Sequence, residues 1–258
     1  MLFRNLHLRG RAPTQRIQSR RAPKVLAVLI MTLFALHLYA PSARAFWLLG
    51  FSTADTLPPG HVGFIAGTGG QFADVGRPKK TSFTPFLAHA GIRLGLTDHI
   101  DVGYRLTQVA IPFSSVGSTL GGETDVKYRL TAPSDTWQVA MLAGGAYGYL
   151  NIEGQSREAW SPGVDLMASR RMNRKLWLIA ELRYVYTAIP TAPGGTADNY
   201  VHAVGPDLGL KISLTPQISL IPEMGLFDFT GRLQGRDASG LGYQYGVVLS
   251  VANLPGLW

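Results

Sequence analysis

The sequence contains no cysteine, and only 16% of its 258 residues are charged. The absence of cysteine excludes a Cys/His metal motif, but exported proteins can lack disulfides, so it assigns no redox compartment. After residue 45 there is no apolar run long enough for a membrane-spanning helix and no sustained helical stripe. Such sparse charge cannot cover the outside of a soluble sheet protein of this size. The 30 glycines suit a sheet protein with many turns.

The basic residues are distributed unevenly. Eight of the 24 lie in the first 45 residues, which contain no acidic residue, so the remainder has 16 of each sign and no net charge. A basic stretch ending at Lys24, an apolar run over 25–39 and the small residues Ala43 and Ala45 are typical of a secretory signal peptide. We therefore expect a signal peptide over 1–45, a mature domain over 46–258 and no nucleic-acid partner. The alternative is a retained membrane anchor.

Residues 61–252 read as ten strands with period-2 alternation. The predicted strands are 61–71, 83–96, 99–110, 121–132, 136–150, 161–171, 175–188, 202–214, 217–228 and 241–252. Four short turns alternate with longer polar connections, predicted at 72–82, 111–120, 151–160, 189–201 and 229–240. Short turns at one end and long loops at the other are typical of outer-membrane barrels.

One face of each predicted strand is apolar and the other is polar. In 121–130 (GGETDVKYRL), Val126, Tyr128 and Leu130 alternate with charged residues. An apolar outer face in contact with lipid requires a closed sheet, because every backbone hydrogen bond must be made internally. We predict an all-β fold, a closed antiparallel up-and-down transmembrane β-barrel of about ten strands, with eight or twelve as alternatives. Its place is the outer membrane, where lipid is its partner.

Two phrases carry a resemblance to a known class of protein. GLTDHIDVGY at 95–104 and ADTLPPG at 54–60 resemble Gram-negative outer-membrane β-barrel families, both small meander barrels and transporter-like barrels associated with aromatic-compound degradation. The resemblance implies recognition of a C-terminal aromatic residue, here Trp258, by the barrel-assembly machinery. Pro255 and Gly256 depart from the alternating terminal strand of such barrels.

The polar parity of the strands predicts the interior of the barrel. The lumen-lining residues are predicted to be Arg93, Asp101, Arg105, Glu123, Asp125, Lys127, Arg129, Glu181, Arg183, Asp207, Lys211 and Glu223, with Asp165 on the same parity. Opposite charges on adjacent strands can pair. The predicted function is passive permeation of a small-molecule solute through this lumen. The alternative is a non-conducting structural or surface-interaction barrel with a salt-bridged core.

A third alternative is a hydrolase at the outer rim, where His202 and Asp198 lie near one predicted loop and Ser114 and Ser115 lie in another. We assign no catalytic residue and expect no enzyme activity. The sequence has no phosphate-binding loop, no dinucleotide fingerprint and no HExxH motif. We therefore predict no cofactor and no metal site.

Overall fold

The computed structural model describes residues 52–75, 80–110, 119–152, 155–189, 199–233 and 235–254. It contains ten strands, which are β1 (Val62–Val75), β2 (Lys80–Gly95), β3 (Ile100–Ala110), β4 (Thr119–Arg129), β5 (Trp137–Ile152), β6 (Gln155–Arg171), β7 (Leu176–Ile189), β8 (Asn199–Ser213), β9 (Ile218–Leu233) and β10 (Arg236–Leu254). Each strand pairs antiparallel with its sequence neighbours, and β1 pairs with β10. The predicted ten-stranded up-and-down barrel is confirmed.

Alternation of side chains places an apolar belt on the outside. Along β8 the even residues from Val204 to Leu210 are exposed, while Asp207 and its odd neighbours are buried. A strand segment of nine residues such as 204–212, tilted by about 40°, rises roughly 20–25 Å, close to the ~25 Å apolar band of membrane barrels. Within the described ranges, no helix is long and apolar enough to cross a membrane.

The four short turns predicted from the sequence join strands at one end, called here the short-turn end. Three of them use one polar side chain to bind the backbone of the turn. The Oγ1 atom of Thr97 accepts hydrogen bonds from the amides of His99 and Ile100, at 3.2 and 3.0 Å. The side chains of Asn173 and Thr215 accept equivalent bonds in their turns. Side-chain acceptors of this kind stabilise a tight turn by binding its backbone amides.

Three of the predicted long connections are wrong. They lie at the end opposite the short turns, called the loop end. In the predicted loop 72–82, β1 and β2 remain paired as far as Val75 and Lys80. β5 and β6 remain paired as far as Ile152 and Gln155. In β9 and β10 the pairing extends to Leu233 and Arg236.

The last two of these hairpins extend beyond the apolar belt, so their ends at 155–160 and 236–240 can be polar. A polar strand end and a polar loop have a similar composition, and the sequence therefore predicted loops there. Gly235, with a φ of 74°, adopts the left-handed conformation that such a tight turn needs.

Some predictions concern residues outside the described ranges. They are the signal peptide over 1–45, a further strand at 46–51 and the C-terminal signal at Trp258. These three stay predictions.

Candidate functional site: the barrel lumen

The twelve residues predicted to line the lumen all lie on the inner face of the barrel wall. Ten of them are buried, and Arg93 and Lys211 are partly exposed. Asp165, which shares their parity, is 1% exposed. The charged side chains therefore lie inside a closed sheet, where each requires a partner of opposite charge or a hydrogen bond.

A first group, called the short-turn network, consists of Arg93, Asp101, Asp125 and Lys127. Arg93 forms ion pairs with both Asp101 and Asp125. The ammonium group of Lys127 lies 3.3 Å from Oδ2 of Asp101. A side chain at Gly103 would come within 2.6 Å of Asp125 and 2.7 Å of Arg93, so glycine is needed there for this close approach. These four residues link β2, β3 and β4 in the part of the lumen nearest the short-turn end.

Arg105 and Glu123 form a second ion pair, at the next level of the wall. The two residues lie directly opposite each other in the register of β3 and β4. Nη2 of Arg105 is 2.8 Å from Oε2 of Glu123, and the hydroxyl of Thr107 donates to Oε1 of Glu123 at 2.9 Å. Arg105 and Glu123 thus form an ion pair between adjacent strands.

The opposite wall carries the acidic network, formed by Asp165, Glu181, Arg183, Asp207 and Glu223 on β6 to β9. Nε of Arg183 donates to both oxygens of Asp165, at 2.9 and 3.1 Å. Its Nη2 donates to Oε2 of Glu181 at 2.7 Å. Asp165 and Glu181 thus share the guanidinium group of Arg183. Arg183 is 1% exposed, so these contacts are made out of water.

Residues 52–57 occupy the short-turn end of the lumen, which sequence reasoning did not predict. The ammonium group of Lys127 donates to the carbonyl oxygens of Thr53, at 2.9 Å, and Asp55. The amide of Leu57 donates to Oδ2 of Asp101 at 3.2 Å. Ala54 is fully buried in a cluster with Ala140, Leu142, Ala146, Met167 and Val185. We call residues 52–57 the entrance segment.

The entrance segment leaves only a small space beside the short-turn network. This cavity of about 120 Å³ is lined by the entrance segment and by residues such as Arg93, Asp101 and Lys211. It is large enough for a few water molecules, since each takes about 30 Å³ in the liquid. The entrance segment therefore narrows the lumen at the short-turn end.

The remaining two predicted residues lie at the short-turn end but outside the networks. Nη2 of Arg129 donates to the carbonyl oxygen of Asp98 in the first short turn. Nζ of Lys211 lies 5.6 Å from the ring centre of Trp177. Both contacts place positive charge near the turns, away from the acidic network.

An apolar group, called the phenylalanine cluster, lies inside the barrel towards the loop end. It consists of Ala73, Phe227 and Phe229, with Val201 and Ala203 packed against them. The guanidinium carbon of Arg183 is 6.0 Å from the ring centre of Phe227, so the cluster adjoins the acidic network. The sequence did not predict this cluster, because Ala73, Val201 and Phe229 fall in stretches predicted to be loops and Phe227 is an apolar residue on the polar parity of its strand.

The charge pattern and the closed sheet together decide the environment of the chain. A closed barrel with an apolar outer belt and a polar interior satisfies all requirements for crossing a membrane without helices. The protein is an outer-membrane β-barrel. Short turns face the periplasm in such barrels, and the entrance segment lies at the short-turn end.

Matches to known proteins come from solved structures. No protein-family model matches the chain. No curated protein matches it. Similar solved structures include the outer membrane protease OmpT from Escherichia coli, with 12% identity over 78% of this chain and all of the protease, and a TM-score of 0.48. An outer membrane channel from Pseudomonas putida F1 has 11% identity over 79% of this chain and 99% of the channel, with a TM-score of 0.48. The N-terminal barrel domain of OprF from Pseudomonas aeruginosa has 14% identity over 74% of this chain and 98% of that domain, with a TM-score of 0.31.

A larger concavity lies on the outer surface and not in the lumen. It measures about 470 Å³ and is lined by outward residues of β2 to β5, among them Ile92, Leu94, Tyr104 and Val126. Small residues such as Gly145 create it, because they leave the sheet uncovered between larger neighbours. The groove lies within the apolar outer belt of the barrel.

The residues of the rim hydrolase alternative do not form a site in the described structure. Ser114, Ser115 and Asp198 lie outside the described ranges. His202 lies on the outer face of β8, where its Nδ1 atom is 2.8 Å from the hydroxyl of Tyr184. Its ring packs against those of Tyr184, Tyr186 and Tyr200, as in the aromatic girdle of a membrane interface. Among the described residues, no group of three or more His, Asp or Glu side chains could hold a metal ion.

Proposed function

We propose that this barrel is a narrow, gated passage for small polar solutes, closed at rest by the entrance segment. The observation that carries the proposal is how residues 52–57 are held. Their polar contacts with the wall are made chiefly to the side chains of Lys127 and Asp101. The strand ladder closes between β1 and β10 without them. The segment can therefore leave the periplasmic mouth while the barrel remains intact.

The strength of these contacts is compatible with gating. A hydrogen bond to a charged group contributes about 1.5–3 kcal/mol. Two such bonds from Lys127 favour the closed state by roughly 3–6 kcal/mol, which corresponds to an open fraction on the order of 10⁻² to 10⁻⁴. Burial of Ala54 adds to this preference. An open state of this rarity produces brief, infrequent openings.

A second candidate is a non-conducting barrel with a salt-bridged core. The observation that favours it is the burial of the charged networks, since Asp101, Lys127, Asp165 and Arg183 are each at most 2% exposed. Buried and mutually paired side chains can fill a small barrel and hold its shape. In this case, release of the entrance segment would not open a continuous path.

Single-channel conductance in planar lipid bilayers separates these two functions. Lys127→Met keeps the length of the side chain and removes the charge that holds Thr53 and Asp55, so it should raise the open probability at least about tenfold. Leu57→Pro, which removes the amide that binds Asp101, should act in the same direction and leaves the barrel wall unchanged. Lys175→Met, in an exposed turn, is the matched control and should behave like the unaltered protein.

Folding of each variant is verified by the shift in gel mobility between unheated and boiled samples, which reports a closed barrel. If folded Lys127→Met and Leu57→Pro are both silent, the passage is refuted and the non-conducting barrel is favoured. If the control opens as often as the two variants, the gating contacts are wrongly assigned.

A further inference from the structure

We propose that the acidic network is a binding site for a small organic cation of the alkylammonium class. This inference rests on the proposed passage, because the site lies inside the lumen. Four independent features of the described residues lead to it. They are the separation of charge between two walls, unpaired carboxylate oxygens, an unpaired neutral acceptor and an adjoining apolar cluster.

The lumen as a whole is nearly neutral, but its charges are separated. The wall formed by β2 to β4 carries four basic residues and three acidic ones, namely Arg93, Arg105, Lys127, Arg129, Asp101, Glu123 and Asp125. The wall formed by β6 to β9 carries the acidic network with its single Arg183, and Lys211 of β8 lies apart from it beside Trp177. One side of the lumen therefore favours a cation.

Arg183 does not satisfy all oxygens of the acidic network. It contacts Asp165 and one oxygen of Glu181. Oε1 of Glu181, Oδ2 of Asp207 and Oε1 of Glu223 are buried and receive no N–H donor from the described residues, while the carboxyl groups of Asp207 and Glu223 lie within hydrogen-bond distance of each other. A buried acceptor without a donor is unfavourable. These oxygens are placed to receive the N–H groups of a bound cation.

An independent neutral acceptor lies beside the same position. Gln244 on β10 is 4% exposed, and its Oε1 atom also lacks a hydrogen-bond partner among the described residues. In the register, Asp207 is opposite Gly225, and Gly225 is opposite Gln244. Because Gly225 has no side chain, the side chains of Asp207 and Phe227 reach over it on the strand between Asp207 and Gln244. The amide oxygen of Gln244 adds a neutral acceptor on the next strand.

The apolar part of the ligand is indicated by the phenylalanine cluster. From the position of a Cβ atom on Gly225, Cε2 of Phe227 is 2.6 Å away and Oδ2 of Asp207 is 2.9 Å away. The ring edge of Phe227 and a carboxylate oxygen of Asp207 thus lie next to each other over Gly225. An ammonium group bound by the oxygens would place its alkyl chain along Phe227 and Phe229, towards the loop end. Aromatic rings also attract cations directly.

Isothermal titration calorimetry with n-butylammonium chloride tests the site. The protein is the full folded chain in detergent, both unaltered and with Lys127→Met, so that a closed entrance does not prevent access. We expect saturable binding of n-butylammonium and none of butanol or sodium butyrate. Glu223→Gln and Gln244→Leu should each weaken binding at least about tenfold. Asp228→Asn, on the outer face of β9, is the matched control and should bind normally.

The outcomes distinguish this site from the passage. Binding that is lost in Glu223→Gln and Gln244→Leu supports the site, even if Lys127→Met is electrically silent and the passage fails. If Lys127→Met opens but the protein does not bind n-butylammonium, the proposed cation site is wrong and the proposed passage is still supported. Equal binding of n-butylammonium by Glu223→Gln, Gln244→Leu and Asp228→Asn overturns the assigned residues.

Discussion

Removal of Arg183 should produce a large loss of stability, because its guanidinium group binds two carboxylates of the acidic network inside the barrel. Its guanidinium group makes three N–H···O contacts of 2.7–3.1 Å with Asp165 and Glu181, and it is 1% exposed. Loss of one partner from a buried ion pair costs about 3–5 kcal/mol. We therefore expect Arg183→Met to lower the free energy of unfolding by about 3–5 kcal/mol.

The measurement is urea unfolding of the folded protein in lipid vesicles, followed by tryptophan fluorescence. The triple variant Arg183→Met, Asp165→Asn, Glu181→Gln should recover most of the loss, because replacement of all charges in a buried pair is close to neutral. Arg170→Met is the control, since Arg170 is exposed and contacts the ring of Trp137. A single variant within about 1 kcal/mol of the unaltered protein would show that Arg183 does not compensate the buried acids.

Two further predictions concern the barrel wall. Leu208→Arg places a charge in the middle of the apolar belt, where Leu208 is 57% exposed, and should cost about 2–4 kcal/mol of folding free energy in vesicles, whereas Asp228→Arg near the interface should cost less than about 1 kcal/mol. Similar costs for the two would contradict the depth assigned to the belt. Gly205→Ala should cost about 1–3 kcal/mol and slow assembly, because its methyl group would overlap the carbonyl oxygen of Leu226, while Gly145→Ala has 3.7 Å to its nearest neighbour and should fold normally in a gel-mobility assay.

Local alternation was sufficient to predict which side chains face inwards. In β4, Glu123 and Lys127 are buried while Val126 is 50% exposed, as the period of two requires. This prediction succeeds because a strand has only two faces and only the apolar face can lie against lipid. The lengths of β5, β6, β9 and β10 were less predictable, because a hairpin that leaves the membrane is no longer required to be apolar.

The partners of the buried charges depended on the closed barrel. Arg105 and Glu123 are paired as adjacent strands suggest, but Arg93 also reaches Asp125, two strands away. Such contacts depend on the curvature and stagger of the wall, which no local pattern contains. The same applies to Gln244, which the alternation did not select because it carries no charge.

The amino-acid sequence by itself determined the ten-stranded pattern, the apolar outer face and the polar interior. Successive side chains of a strand point to opposite faces, and the face in contact with lipid must be apolar, so local alternation is enough to assign the two faces. The tertiary structure alone decided that residues 52–57 enter the lumen and bind Lys127, and that Asp165 and Glu181 share Arg183. These arrangements arise from contacts between residues far apart in the chain, which form only when β1 meets β10 and the barrel closes.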